Sequence, residues 1–303
     1  MKLSKFTKQL IFKTTITAIL LINILGYMGA YLLTHHRNSD EFGLGLPRSQ
    51  IYKVPTEVGL DYSSAKITIN DNEWLSTWLI KAKNSQGTVI LFHGKESSKS
   101  SLLTPAQVFH SLNYDTLLVD FRGSGDSSGN TSTVGFKEGS DVALATQYIQ
   151  QSNPGKPIIL YGISMGTAAI LKAIAKDQVK PDGIILELPF ARLLDAVKNR
   201  LGTYNLPSFI LGELIVFWGG IQHNFNGFSH NPLEYAKTVD CPTLIFSGDR
   251  DPLVTVDEVK QIQNNLNSQK KLVVFPNAGH QLLVSVDQKL WQENVANFLK
   301  IIP

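Results

Sequence analysis

The chain has 303 residues, of which 43% are hydrophobic and 17% charged, so it can bury one large core, and α/β domains of this length commonly remain single. Its net charge of +3 is local, because residues 1–40 carry five Lys/Arg and one acid, which leaves 23 basic and 24 acidic residues in 41–303. This balance excludes the basic face that nucleic-acid binding needs. The single cysteine, Cys241, excludes an intramolecular disulfide and a Cys-rich metal site, and we expect it to be buried as a small apolar residue.

An uncharged apolar run follows four lysines at the amino terminus. As a helix, residues 14–33 would span about 30 Å, the thickness of a bilayer core. The end of the run lacks the small residues that a signal peptidase requires and a cysteine that could carry a lipid. We therefore expect a basic cytoplasmic amino terminus over 1–13, an uncleaved single-pass signal anchor over 14–33, and the remaining chain on the extracytoplasmic side. Gly26 and Ala30 form a small-xxx-small pair that is too common in such helices to indicate a dimer.

Residues 34–64 contain scattered glycines and prolines and are predicted to tether the helix to a folded domain. Two neighbouring histidines there, His35 and His36, have no third ligand nearby, so we assign them no metal. From residue 65 the pattern changes to strands. Segments 66–69 and 74–82 flank an Asp-Asn-Glu turn, which predicts a hairpin.

Strands and helices then alternate to the end of the chain. The predicted strands are 88–92, 114–119, 158–161, 183–188, 243–247 and 271–275, and helices are predicted over 101–112, 138–151 and 290–300. This order predicts a mostly parallel, doubly wound sheet with helices on both faces. Ligands of such sheets bind at the carboxyl ends of the strands.

A serine lies where one of these strands passes into an Ala-rich helix, in the sequence Gly162-Ile163-Ser164-Met165-Gly166. A sharp strand-to-helix turn that exposes a serine hydroxyl crowds the residues two before and two after it, which explains the glycines. An ordinary βα turn can also contain Gly and Ser, so the motif alone leaves both interpretations open.

Three further motifs follow strands of the same predicted sheet. His93-Gly94-Lys95 comes after 88–92, Gly248-Asp249-Arg250-Asp251 after 243–247, and Asn277-Ala278-Gly279-His280 after 271–275. Because the carboxyl ends of parallel strands meet at one edge, we expect these motifs to lie close to Ser164.

With these four motifs in order, residues 65–300 resemble the α/β-hydrolase family, in its serine-hydrolase branch of monoglyceride lipase-like and serine aminopeptidase-like proteins. The resemblance implies an α/β-hydrolase fold for 65–303, with Ser164 as nucleophile and His280 as its base. It places the orienting acid at the fourth position of the Gly-Asp-Arg-Asp turn, Asp251, with Asp249 as the rival. The order Ser, Asp, His is the one expected of this fold.

Backbone N–H groups of Met165 and Lys95 are the expected oxyanion donors, and His93 is expected to be a structural, hydrogen-bonded residue. The stretch 120–126 resembles a dinucleotide-binding loop, but its third glycine lies at 129 rather than 128. It looks instead like the DxRGxG turn of this hydrolase branch, which favours a structural pair between Asp120 and Arg122. Without a P-loop or a metal-ligand motif, we expect no cofactor and no metal.

A cap insertion is expected over residues 189–242, which exceed what a simple connection needs. Its apolar middle, 206–228, could line an acyl pocket, touch the membrane or simply pack on the core. The sequence thus predicts a membrane-anchored serine hydrolase of hydrophobic or lipid-like carboxylic esters. A peptidase, thioesterase or acyltransferase on the same triad, or a non-catalytic membrane-tethered binding protein of the same fold, stays open at this point, as do the acyl length and the oligomeric state.

Overall fold

The structure is a computed structural model that describes residues 4–38 and 42–302. Its strands are β1 (His36–Arg37), β2 (Leu46–Pro47), β3 (Ser63–Asn70), β4 (Glu73–Ile80), β5 (Thr88–Phe92), β6 (Asp115–Val119), β7 (Ile158–Ile163), β8 (Gly183–Glu187), β9 (Thr243–Gly248) and β10 (Lys270–Phe275). Its α-helices are α1 (Lys5–Thr34), α2 (Leu103–Ser111), α3 (Glu138–Ser152), α4 (Met165–Asp177), α5 (Leu193–Thr203), α6 (Ser208–His223), α7 (Pro232–Tyr235), α8 (Val256–Asn265) and α9 (Gln288–Leu299).

Eight of these strands form one sheet in the order β10-β9-β8-β7-β5-β6-β4-β3. Strands β5 to β10 run parallel to their neighbours, and the β3–β4 hairpin joins antiparallel at the β6 edge. The chain leaves β5 towards β6 and returns to β7 on the other side. The strand order therefore reverses at β5, the kind of position at which open α/β sheets bind ligands. The predicted α/β-hydrolase fold, with helices on both faces, is confirmed.

Apolar side chains on the two sides of the sheet form two separate clusters. Buried residues of α3, α4 and α8 pack against one face, and those of α2 and α9 pack against the other. Strands β5, β6, β7, β8 and β9 are buried along their whole length, as their uninterrupted apolar sequences require.

Predicted and observed strands of the parallel part agree to within two residues at each end. The predicted helix 101–112 instead begins as a 3-10 turn over Lys99–Leu102 and continues as α2.

Helix α1 is 30 residues long, about 45 Å, and is long and apolar enough to cross a membrane. Most of its side chains are exposed, and Gly26 and Ala30 are its buried residues. Both lie against α6: a Cβ atom on Gly26 would be only 2.6 Å from Leu214 Cβ. The small-xxx-small pair therefore serves a contact within the chain.

The described parts of the segment predicted as a tether contact the part of the chain that contains the eight-stranded sheet. The His36 backbone N–H donates to the Asn130 carbonyl at 2.7 Å, and the Arg48 guanidinium donates to the carbonyls of Gly125 and Gly129 at 2.9 and 2.6 Å. These bonds join the segment to the loop that follows β6. The boundaries 1–13, 14–33, 34–64 and 65–303 stay predictions.

The predicted pair between Asp120 and Arg122 is wrong. Arg122 Nε donates to Asp141 of α3 at 3.0 Å, because its side chain points away from the strand end towards that helix. Asp120 binds Lys99 instead, accepting the Lys99 backbone N–H at 2.7 Å and forming an ion pair with its ammonium. The side chains of Lys99 and Asp120 are not exposed to solvent. A carboxylate oxygen of Asp126 also lies 2.9 Å from Lys99 Nζ.

We expect Asp120→Ala to lower the free energy of unfolding by about 3–5 kcal/mol, because it leaves the buried Lys99 ammonium without its main counter-charge. The measurement is urea unfolding of the detergent-solubilised chain. Asp257→Ala is the matched control, since it removes an exposed pair with Lys260. Equal effects of the two substitutions would contradict the structural role of the buried pair.

Candidate active site

Ser164 lies between the end of β7 and the start of α4, with φ 49° and ψ −108°. This backbone conformation is strained for a residue with a side chain and costs about 1–3 kcal/mol. The flanking glycines make it possible. A Cβ atom on Gly162 would lie 2.6 Å from the carbonyl carbon of Gly166, and one on Gly166 would lie 2.5 Å from the carbonyl oxygen of Phe92. The turn therefore has the geometry of a nucleophile elbow, and it needs glycine at both positions.

His280 and Asp251 meet Ser164 at the carboxyl edge of the sheet. His280 Nε2 lies 3.0 Å from Ser164 Oγ, and His280 Nδ1 lies 2.7 Å from Asp251 Oδ2. The carboxylate can accept only from a protonated Nδ1, so in the neutral ring Nε2 is left free to accept the serine proton. The predicted residues are thus brought together in a continuous chain of hydrogen bonds.

The Asp251 carboxylate is held in place by backbone N–H groups that follow it in the chain. Oδ1 of Asp251 accepts the N–H groups of Leu253 and Val254 at 2.7 and 3.0 Å, which leaves Oδ2 for the histidine. The Asp251 side chain is fully buried, whereas Asp249, the rival acid, is exposed. The geometry therefore favours Asp251.

The loop after β5 lies directly against the elbow. A Cβ atom on Gly94 would be 3.8 Å from Ser164 Cβ, so the backbone that leads into Lys95 passes beside the serine. Within residues 4–38 and 42–302, the backbone N–H groups of Lys95 and Met165 have no hydrogen-bond acceptor. Both residues also line the pocket over Ser164. The Lys95 side chain pairs with Glu96 at 3.1 Å, and burial lowers the pKa of the Lys95 ammonium.

His93 has the structural role expected from the sequence. Its side chain is fully buried, Nε2 accepts the Phe121 N–H at 3.1 Å, and Nδ1 donates to the Gly94 carbonyl at 2.6 Å. Burial lowers the pKa of this imidazole, which keeps it neutral. His93 thereby ties the loop after β5 to the end of β6.

A largely apolar pocket opens above Ser164 and is covered by the helical hairpin α5–α6, which lies where the cap insertion is predicted. Its apolar lining residues come from α1, α4, α5, α6 and the connecting loops: Ala30, Leu33, Val134, Met165, Phe190, Leu193, Ala196, Val197, Ile215, Val216, Phe225, Leu253 and Val254. The polar side chains of the lining are Thr34, Lys95, Thr133, Ser164, Arg200 and His280. The pocket thus joins an apolar cavity to the Ser164 side chain.

Comparisons with known proteins find matching family models, relatives and solved structures. A family model described as "Serine aminopeptidase, S33" matches residues 83–234, half of the chain, and a "Dienelactone hydrolase family" model matches residues 210–297. The chain is 24% identical to the uncharacterized protein YqkD of Bacillus subtilis over 82% of this chain and 78% of that one. It is 27% identical to the lysophosphatidylserine lipase ABHD12 of Danio rerio over 64% of this chain and 51% of the lipase. Among solved structures, the esterase Pf2001 of Pyrococcus furiosus superposes with a TM-score of 0.71 at 26% identity, covering 84% of this chain and 96% of the esterase.

Sequence reasoning missed Glu187, a buried acid at the end of β8. Its carboxylate accepts the Tyr161 hydroxyl and the Trp291 indole N–H, each at 2.9 Å, and the backbone N–H of Leu283 at 2.7 Å. Leu283 lies three residues after His280, so this carboxylate holds the loop that carries the histidine. Burial raises the pKa of Glu187, and the three donors oppose that shift. A lone acid in an otherwise apolar strand was the available signal.

We expect Glu187→Gln to lower the free energy of unfolding by about 1–3 kcal/mol, because the amide NH₂ must face at least one of the three buried donors. Thermal unfolding of the detergent-solubilised chain measures the change. Glu293→Gln makes the same replacement on the exposed face of α9 and should leave the melting temperature unchanged. Identical melting curves for the two variants would contradict this role of Glu187.

Proposed function

Because this chain belongs to the α/β-hydrolase family of serine hydrolases, we propose that it is a membrane-anchored esterase that cleaves esters of hydrophobic acyl groups through an acyl-enzyme on Ser164. The single observation that carries the proposal is the hydrogen-bonded chain from Asp251 through His280 to Ser164 at the base of an apolar pocket. An unactivated serine is a weak nucleophile, and this arrangement supplies the base that it needs.

In the acylation step, Ser164 Oγ attacks the ester carbonyl carbon while His280 Nε2 takes the hydroxyl proton. The carbonyl π electrons move onto oxygen, and the backbone N–H groups of Lys95 and Met165 donate to the resulting oxyanion. Asp251 stabilises the imidazolium that forms. Collapse of the tetrahedral intermediate breaks the bond to the alcohol, which leaves with the proton from His280.

Deacylation repeats these roles with water as the nucleophile. His280 Nε2 takes one water proton as the oxygen adds to the acyl carbon of the Ser164 ester, and the same N–H groups bind the second oxyanion. Collapse then breaks the bond to Ser164 Oγ, which recovers its proton from His280. The products are a carboxylic acid and the free enzyme.

The pocket supports a hydrophobic acyl group as the substrate portion nearest the serine. Apolar side chains from four helices and the connecting loops surround the space above Ser164, and burial of each CH₂ group of an acyl chain contributes about 0.8 kcal/mol. Relatives named as a lipase and an esterase are consistent with this class of substrate.

The family model named for an aminopeptidase makes a peptidase the second candidate. An aminopeptidase binds a positively charged amino terminus, for which a carboxylate is the natural partner. Among the described residues, the charged side chains that line the pocket besides the triad are the cations Lys95 and Arg200. This lining supports an ester over an aminoacyl peptide, and hydrolysis of aminoacyl p-nitroanilides measured beside p-nitrophenyl esters separates the two activities.

Helix α1 supports attachment to a membrane, since it is long and apolar and its outward side chains are exposed. We propose that residues 14–33 form a single-pass anchor, that the lysines of residues 1–13 stay in the cytoplasm, and that the domain 65–303, with its cap over 189–242, faces the extracytoplasmic side. In this proposal the tether, 34–64, links the two parts.

We expect a fluorophosphonate probe to label the full chain in detergent, and expect the labelling to disappear in Ser164→Ala and His280→Ala, because both variants lack an activated serine. Mass spectrometry of the labelled peptide locates the adduct. An adduct on another residue, or a folded wild-type chain that takes no label, would overturn the catalytic proposal.

Asp251→Asn should lower kcat for p-nitrophenyl butyrate by about 10⁴-fold, the size of effect seen when a triad acid can no longer fix the histidine tautomer. Asp249→Asn is the control, because it makes the same change two residues earlier on an exposed side chain. Steady-state kinetics compare the two. A larger loss in the Asp249 variant would assign the orienting acid to Asp249.

A further inference from the structure

The carboxyl-terminal end of helix α1 contributes to the same pocket as the catalytic residues. Ala30, Leu33 and Thr34 line it together with Ser164 and His280. Ala30 is fully buried, and Leu33 packs on the small apolar cluster that Ala30 forms with α5 and α6. The helix proposed to anchor the chain is therefore also part of the wall of the substrate pocket.

Backbone hydrogen bonds fix this end of α1 to the catalytic domain. The Thr34 carbonyl accepts the N–H of Ser132 at 2.8 Å, and the Ser132 hydroxyl donates to the buried Glu138 at 2.8 Å. The same hydroxyl lies 3.3 Å from the sulfur of Met165, the residue after the nucleophile. A short, buried chain of contacts thus connects the end of the helix to the elbow, so the position of the wall is set relative to Ser164.

Helices α1 and α6 approach each other closely through small residues. A Cβ atom on Gly29 would lie 3.1 Å from Ile215 Cδ1, whereas a Cβ atom on Gly219 would meet only Ala30 Cβ, at 3.8 Å. Larger side chains at Ala30 or Gly219 would occupy space that now belongs to the pocket. The side-chain size at Ala30 and Leu33 therefore controls how far the cavity extends between the two helices.

We propose that the carboxyl-terminal end of α1 is the acyl-selecting wall of the pocket, with Ala30 and Leu33 as specificity-determining residues for an unbranched acyl chain. This inference rests on the proposed esterase function and adds to it the element that sets acyl length. An unbranched chain fits because the wall is apolar, because Ala30 and Gly219 leave room between the helices, and because the adjoining side chains of α6, Ile215 and Val216, are also apolar.

The test compares p-nitrophenyl butyrate, octanoate and palmitate as substrates of the full chain in one detergent. Ala30→Leu, which fills the space, should lower the palmitate-to-butyrate ratio of kcat/KM by about tenfold or more, since one methylene in an apolar pocket changes discrimination by at least that factor. Leu33→Ala, which enlarges the space, should raise the same ratio. Ala18→Leu and Leu20→Ala make the same replacements at exposed positions of α1 and should leave the ratio unchanged.

Opposite shifts in the two pocket variants support the inference, because a general loss of folding cannot raise the ratio in one of them. Should Ala30→Leu fail to fold, Leu33→Ala decides alone. An unchanged ratio in Leu33→Ala and in folded Ala30→Leu, with Ser164 still labelled by the fluorophosphonate, would overturn the role of α1 and leave the esterase proposal intact. A wild-type chain that takes no label and hydrolyses none of the esters would overturn the proposed function itself.

Discussion

The strained backbone of Ser164 is the constraint on which the site depends. A positive φ at a serine persists only where its surroundings leave no alternative, and here the surroundings are the central strands of the sheet. Gly166 contacts the end of β5, and the Ser164 N–H donates to the Glu187 carbonyl at 2.8 Å. The free energy that holds Ser164 in this conformation therefore comes from burial of β5, β7 and β8, far more than from contacts of the serine itself. Any change that separates these strands also relaxes the elbow.

Buried carboxylates position the loops around the elbow. Each of them accepts several donors. Glu187 holds the loop after His280 and Asp120 holds the turn at Lys99, both far away in sequence, whereas Glu138 holds the neighbouring turn at Thr133 through the side-chain hydroxyl and the backbone N–H. A buried carboxylate without partners would cost several kcal/mol, so these groups define one arrangement of the loops. Asp251 follows the same rule, with two backbone donors on one oxygen and His280 on the other. The acid of the proposed triad is thus one of a set of buried carboxylates that shape this edge of the sheet.

The sequence predicts the parallel strands and the elbow well because both have local causes: uninterrupted apolar runs for the strands, and glycine spacing for the turn. It also predicts that His280 and Asp251 lie near Ser164, since the topology of a parallel sheet sends strand ends to one edge, while the choice of Asp251 over Asp249 rests on the family resemblance. It fails where a polar residue pairs with a distant partner although another is close to it in the chain. Arg122 could reach Asp120 or Asp141, and the outcome depends on the approach of α3, which no local pattern encodes. The partners of Glu187 lie 26, 96 and 104 residues away in the chain, beyond any periodicity argument.

The contact between α1 and α6 likewise joins residues that are far apart in the sequence. It shows that the amino-terminal helix also packs on another helix of the chain. The length and apolar composition of α1 predict a membrane span, but they do not predict which element its small residues contact. In the structure those residues bring α6 close enough for both helices to share the pocket, while α6 keeps Phe209, Ile210 and Ile221 exposed on its outer side. Exposed apolar residues also continue along α1 before Gly26. With α1 in the bilayer as proposed, the apolar outer side of α6 would lie at the depth where α1 leaves the hydrocarbon core. On these proposals the cap, the anchor and the pocket form one apolar unit, in which attachment to the membrane and selection of the acyl chain would depend on the same helix pair.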